Sequence, residues 1–259
     1  VSSVTVTATP EPGNVPPRVR LNITDTGTPA VTAVTPTRLN PDGSTVPVRT
    51  YDGNPLTLTS GTGLLYDYEM PYGAPVSYST IESPTLSSAQ VAVGVADVWL
   101  VHPGVPALSQ PIRVIAINER VRKAQRGVHF PMGRRGPVVQ TDGQRKSAAY
   151  TLTIRTNTDS ARAAIDNLLD DASVLLLNVP ATKGWGVTAE YVSVGDSTEA
   201  RFAPYGSEQR RTWDLPVLVV DRPVGGSQAQ RTLLDLLDYP TLNSLAAAYS
   251  TLNALLAGP

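Results

Sequence analysis

His102 and His129 are the only histidines in this 259-residue chain, and cysteine is absent. Metal centres and nucleophilic active sites draw first on those two residue types. A zinc site takes three or four ligands, commonly spaced as His-x-x-x-His or His-Glu-x-x-His, and these two histidines stand far apart, each near a proline. They read as loop residues. A serine hydrolase needs a histidine base and a Gly-x-Ser-x-Gly elbow to hold the nucleophile, and no such elbow occurs. Without cysteine there is no thiol nucleophile, disulfide framework or iron–sulfur centre, so stability must come from packing. Asp67 and Glu69 share one face of a strand. They could act as paired carboxylates on a glycan or supply oxygens to calcium, but that spacing is common by chance and a solvated strand is the favoured reading. Lys183-Gly184-Trp185-Gly186 lacks the glycine spacing of a phosphate loop and reads as a turn with an aromatic anchor. The expectation is a protein with no catalytic residue, no metal and no cofactor.

Charge is the more informative signal. The net charge of -1 conceals three blocks: residues 1–112 carry four Arg against eight carboxylates, residues 113–146 nine Lys and Arg against two, and residues 147–259 eight against twelve. The central block contains Arg120, Arg122, Lys123, Arg126, Arg134 and Arg135. Only Phe130 accompanies these cations, so the aromatic ladder of a single-strand nucleic-acid binder is missing and sequence-specific DNA recognition is not expected. A long basic hairpin or loop over 118–136 is expected to insert against the acidic surface of an adjacent copy. A solvated loop, and contact with DNA or a wall polymer, are the weaker alternatives.

The elements that must position these residues are mostly strands. Over 1–97, short alternating runs at 4–7, 19–23, 31–34, 46–49, 56–58, 76–79 and 90–93 each suit a half-buried strand, and Asn40-Pro41-Asp42-Gly43 supplies a tight turn between the third and fourth. The Tyr66-Asp67-Tyr68-Glu69 run, with Pro71-Tyr72-Gly73 and Val76-Ser77-Tyr78 after it, resembles the corner and following strand of a fibronectin type III domain. That resemblance implies a β-sandwich over 1–97, with Tyr72 and Tyr78 both candidates for its corner tyrosine.

From 98 to 224 the pattern predicts a β domain with strands near 112–117, 137–140, 149–155, 174–179, 190–194 and 213–220. One helix is expected near 159–171, capped by Thr158 or Asp159, with Ala161, Ile165, Leu168 and Leu169 on its apolar face. Trp185 and Tyr191 are candidates for an aromatic platform. Residues 225–259 repeat Thr-Leu-x-x-Leu, placing Leu233, Leu236, Leu242, Leu245, Leu252 and Leu255 at recurring positions in a short helical docking tail. Gly225-Gly226-Ser227 reads as a flexible joint, which favours docking on a neighbouring subunit over packing on the tail's own domain. No run approaches 18 apolar residues, and residues 1–9 lack a basic start, so a soluble chain not exported by the general route is expected.

Taken in order, several segments resemble a minor tail protein of the long, flexible-tailed phages and prophages of actinobacteria. They are Pro16-Pro17-Arg18-Val19, Asn40-Pro41-Asp42-Gly43-Ser44, Val98-Trp99-Leu100-Val101-His102-Pro103-Gly104, Gly133-Arg134-Arg135-x-Pro137-Val138-Val139, Val219-Val220-Asp221-Arg222-Pro223 and the Thr-Leu-x-x-Leu tail. The resemblance implies a non-enzymatic subunit of the virion tail tip, similar to distal tail or baseplate hub proteins and assembled in the host cytoplasm. The implied partners are copies of itself in a ring of six or three, and the tail tube, tape-measure and tail-tip proteins. The alternative function is a host-surface glycan-binding adhesion module without catalysis, with Trp185 and Tyr191 as its platform.

Overall fold

A computed structural model describes residues 3–133 and 135–226. The first eight strands are β1 (Val4–Glu11), β2 (Arg18–Asp25), β3 (Ala33–Val34), β4 (Pro36–Leu39), β5 (Thr45–Pro47), β6 (Leu56–Thr57), β7 (Thr62–Asp67) and β8 (Ser77–Thr80). They form a sandwich. One layer runs β1–β2–β7 and the other β5–β4–β8, both antiparallel, with the short β3–β6 pair beside them. Period-two alternation drives this packing: Val4 and Val6 of β1, and Val19, Leu21 and Ile23 of β2, turn inward onto one core while Thr5, Thr7 and Asn22 remain exposed.

Several expected strands shift. The Asn40–Ser44 turn forms, with Gly43 at φ 83, but it joins β4 to β5, so the strand before it is 36–39 rather than 31–34. The sequence hides β4 because Pro36, Thr37 and Arg38 look like loop residues, yet all three are buried. Likewise Gly61 and Gly63 disguise β7. A Cβ at Gly63 would lie 2.7 Å from a Leu58 methyl and 3.0 Å from a Leu56 methyl, so any larger residue there must displace the side chains of two buried leucines. The run at 90–93 forms no strand and contributes one bridge, Val76 to Val91. Neither candidate corner tyrosine makes the short-range backbone bond of that motif. The Tyr72 hydroxyl donates to the Pro17 carbonyl at 3.3 Å, and that of Tyr78 to Asp67 Oδ2 at 3.0 Å.

The chain continues through β9 (Val98–Val101), β10 (Gln110–Ile117), β11 (Ala124–His129), β12 (Val138–Arg145), β13 (Ala149–Thr156), α1 (Asp159–Asp171), β14 (Leu175–Asn178), β15 (Ala189–Val194), β16 (Thr198–Arg201) and β17 (Arg211–Val219). Six of these close on themselves. The antiparallel order β13–β10–β9–β14–β15–β17 returns from β17 to β13, which leaves no open edge in the ring of strands, and β16 extends the pairing along β17. Leu100, Leu152, Ile154, Leu175, Leu177, Val192, Trp213 and Leu215 form the barrel core, joined by Ile165 and Leu168 from α1. Thr158 caps that helix, its hydroxyl accepting from Ala161 N–H at 3.1 Å. The fold is therefore mainly β, with a sandwich-like first part, as the alternation predicts.

Sandwich and barrel share a wall. Val98 and Leu100 of β9 and Leu175 and Leu177 of β14 face the barrel core, while Trp99, Val101 and Leu176 face the sandwich core. All four residues of β14 are buried, as expected of a strand covered on both faces.

Candidate functional site

Two features stand apart from the packed body: a ribbon that leaves it and a set of charges sealed inside it. The ribbon begins where β10 and β13 pair in the barrel. Beyond it the same two strand directions continue through a bridge between Val121 and Ala149 and a bond from Lys146 N–H to the Lys123 carbonyl, and then through β11 and β12 from Ala124–Arg145 to His129–Val138. The nine residue-to-residue steps from Val121 to Phe130 give an arm of about 30 Å at roughly 3.3 Å per step. Every residue from Val121 to Phe130 and from Arg135 to Gln140 is exposed. Apolar side chains stand out along it: Val128, Phe130, Met132, Val138 and Val139 are all exposed, Met132 completely.

The predicted basic residues divide between the root and the shaft of this arm. At the root, Arg120 donates to Glu190 Oε1 at 2.6 Å and its guanidinium lies 5.1 Å from the centre of the Tyr150 ring, so it is paired within its own chain. Burial first, and the Glu190 carboxylate second, push the Tyr150 hydroxyl up to about 12. Along the shaft, Arg122, Lys123, Arg126 and Arg135 make no ion pair among the described residues. Arg134 lies outside the described residues, as do Leu233, Leu236, Leu242, Leu245, Leu252 and Leu255 of the tail.

The sealed charges correct an expectation. Asp67 and Glu69 are not solvated; they are 2% and 3% exposed. Asp67 accepts from Arg38 Nη1 at 2.7 Å and from the Tyr78 hydroxyl, and its other oxygen accepts from Glu69 N–H at 2.9 Å. Glu69 sits between two guanidinium groups, accepting from Arg49 Nε at 3.0 Å and from Arg222 through both Nε and Nη2. A buried carboxylate requires such partners, because desolvating an unpaired charge is costly. With their oxygens held by arginine, by Tyr78 and by a backbone N–H, these two acids are structural and not an acid/base pair. Burial, followed by the Asp67 charge, raises the Tyr72 and Tyr78 hydroxyls well above their ordinary value.

The same cluster holds the start of the Gly225-Gly226-Ser227 segment, of which Ser227 lies outside the described residues. Arg49 donates to the Pro223 carbonyl at 2.7 Å and the Gly225 carbonyl at 2.5 Å, and Arg222 donates to the Pro47 carbonyl at 2.7 Å. Residues 222–226 thus lie as a strap on the sandwich. Nothing in the sequence pairs Glu69 with an arginine 153 positions away. Asn178 adds a second tie across the wall, donating to the Met70 carbonyl at 2.7 Å and accepting from Tyr72 N–H at 3.1 Å.

The aromatic platform does not form as a pair. Tyr191 is half-buried against the sandwich core, where burial and then the Glu69 charge raise its hydroxyl. Trp185 instead stands exposed beside a cleft that Tyr191 does not line. His102 serves a turn, its Nδ1 accepting from Gly104 and Val105 N–H at 3.0 and 2.8 Å, while exposed His129 ends β11. Among the described residues, no three His, Asp or Glu side chains gather as a metal-holding group. No protein-family model matches the sequence, and the search of curated proteins returns no match.

Proposed function

We propose that this chain is a structural subunit of a phage tail tip, assembling with copies of itself into a ring or hub that joins the tail tube to adhesion components. The supporting observation is the arm. A two-stranded ribbon is marginal in water by itself, and one that exposes five large apolar residues beside cations with no ion pair among the described residues gains most from a surface that covers it. The two flanking sequence blocks are net acidic, which makes another copy of the chain a complementary acceptor. An arm that leaves one copy and docks elsewhere on the next makes a heterologous contact, and repetition of that contact closes a ring when the rotation between copies divides a full turn. The assembly role needs no catalytic group, and the buried Asp67 and Glu69 have a structural use.

Light scattering of the full chain at low and high salt tests this reading, with Phe130→Ser/Met132→Ser as the comparison protein. A closed oligomer that dissociates with salt and is lost in the double variant is expected. A monomer at every salt and protein concentration would overturn self-assembly.

A further inference from the structure

Trp185 is displayed by the backbone around it. Gly184 and Gly186 have φ of 66 and 70, a left-handed conformation that side-chain-bearing residues adopt only with strain, so the indole is carried on a turn with glycine on both sides. Val179 N–H donates to the Thr188 carbonyl at 2.6 Å and Lys183 N–H to the Pro180 carbonyl at 2.9 Å, which pins the turn at its base. The outcome is unusual for this chain: Trp185 is 41% exposed, while Trp99 and Trp213 are 6% and 3% exposed.

The indole borders a cleft of about 510 Å³ that is also lined by Asp97, Ile112, Arg113 and Lys183. That volume falls within the usual span of small-ligand sites, roughly 300–1,000 Å³. Asp97, Arg113 and Lys183 have no ion-pair partner among the described residues, so two cations and one carboxylate remain available to a ligand. Each group suits a different part of one ligand. A flat indole covers the C–H face of a pyranose ring, the cations take a carboxylate through charge-assisted hydrogen bonds, and Asp97 accepts from ring hydroxyls. An uncharged apolar ligand would make use of none of the three ionic groups, which are all exposed.

We propose that this cleft binds a uronic-acid residue of an acidic polysaccharide, with Trp185 as the stacking surface, Arg113 and Lys183 as the carboxylate anchors, and Asp97 as a hydroxyl acceptor. This goes beyond ring assembly and does not depend on it. The test is titration of the full chain with a galacturonic acid trimer, followed by calorimetry and tryptophan emission, in which the exposed Trp185 is the reporting indole. Saturable binding with a blue shift is expected. Trp185→Ala should weaken it by about tenfold or more, and Lys183→Gln and Arg113→Gln each by several-fold, with added salt weakening the unmodified chain in the same way. A neutral galactose trimer should bind about tenfold more weakly or worse. Absence of saturable binding, equal binding by Trp185→Ala, or equal displacement of the trimer by inorganic phosphate would each overturn the proposal. Should Trp185→Ala fail to fold, Lys183→Gln changes only an exposed side chain and decides the matter. Mass measurements on the same samples report ring formation separately, so failure of one reading is distinguishable from failure of the other.

Discussion

The wall between sandwich and barrel and the shaft of the arm both carry several arginines, and they use them in opposite ways. At the wall, Arg38, Arg49 and Arg222 are each bound to a buried carboxylate. On the shaft, Arg122, Lys123, Arg126 and Arg135 face solvent without an ion pair among the described residues. The same residue type thus fixes internal geometry where water is excluded and faces solvent, with no ion pair among the described residues, where it is not. Dielectric environment makes the difference: an ion pair in water contributes little, whereas removing one member of a buried pair strands the other.

Glu69→Ala should break the contrast most. It leaves Arg49 and Arg222 with no carboxylate at the wall and is expected to cost about 3–5 kcal/mol of stability, read from the urea midpoint. A loss below about 1 kcal/mol would mean that the wall charges are as dispensable as surface ones. Asn178→Ala comes next, since it leaves the Met70 carbonyl and Tyr72 N–H buried without a partner; about 1–3 kcal/mol is expected in the same assay.

A pH-confined effect should follow at the arm's root. Folded Tyr150 keeps its proton until about 12 while the unfolded side chain loses it near 10, so its contribution is fully present below pH 10 and disappears as pH rises through 12. Tyr150→Phe should therefore flatten the fall in stability across that window, measured as urea midpoint against pH. The smallest effect belongs to the shaft. Arg122→Gln/Lys123→Gln/Arg126→Gln should change stability by no more than about 0.5 kcal/mol, yet weaken any salt-sensitive oligomer seen by light scattering.

Where burial alternates along a continuous run, the sequence was readable. Val19, Leu21 and Ile23 declare β2, Val174–Val179 contains β14, and Thr158 followed by apolar residues at helical spacing declares α1. Short strands containing charge or glycine were not readable. Arg38 in β4 looks like a surface residue until Asp67 is placed beside it, and Gly63 in β7 looks like a turn until the leucines above it are known. The basic hairpin or loop expected over 118–136 lies within a β11–β12 ribbon reaching Arg145. Its first strand is missed because wholly exposed Ala124–His129 has no buried face to set an alternation. The glycines around Trp185 mark its turn in the sequence, but nothing there separates Trp185 from Tyr191, which packs against the sandwich core once β15 forms.

By itself the sequence determined the local states: a mainly β chain, one capped helix, a turn at Asn40–Ser44 and a basic stretch between acidic ones. These follow from period, propensity and charge, all of which act over a few residues. Tertiary structure alone decided that β17 closes onto β13, that Glu69 lies between Arg49 and Arg222, and that Trp185 overlooks a cleft beside Asp97. Those outcomes depend on which distant segments share a water-excluded space. Burial changes the energy of a charge far more than any neighbour along the chain can.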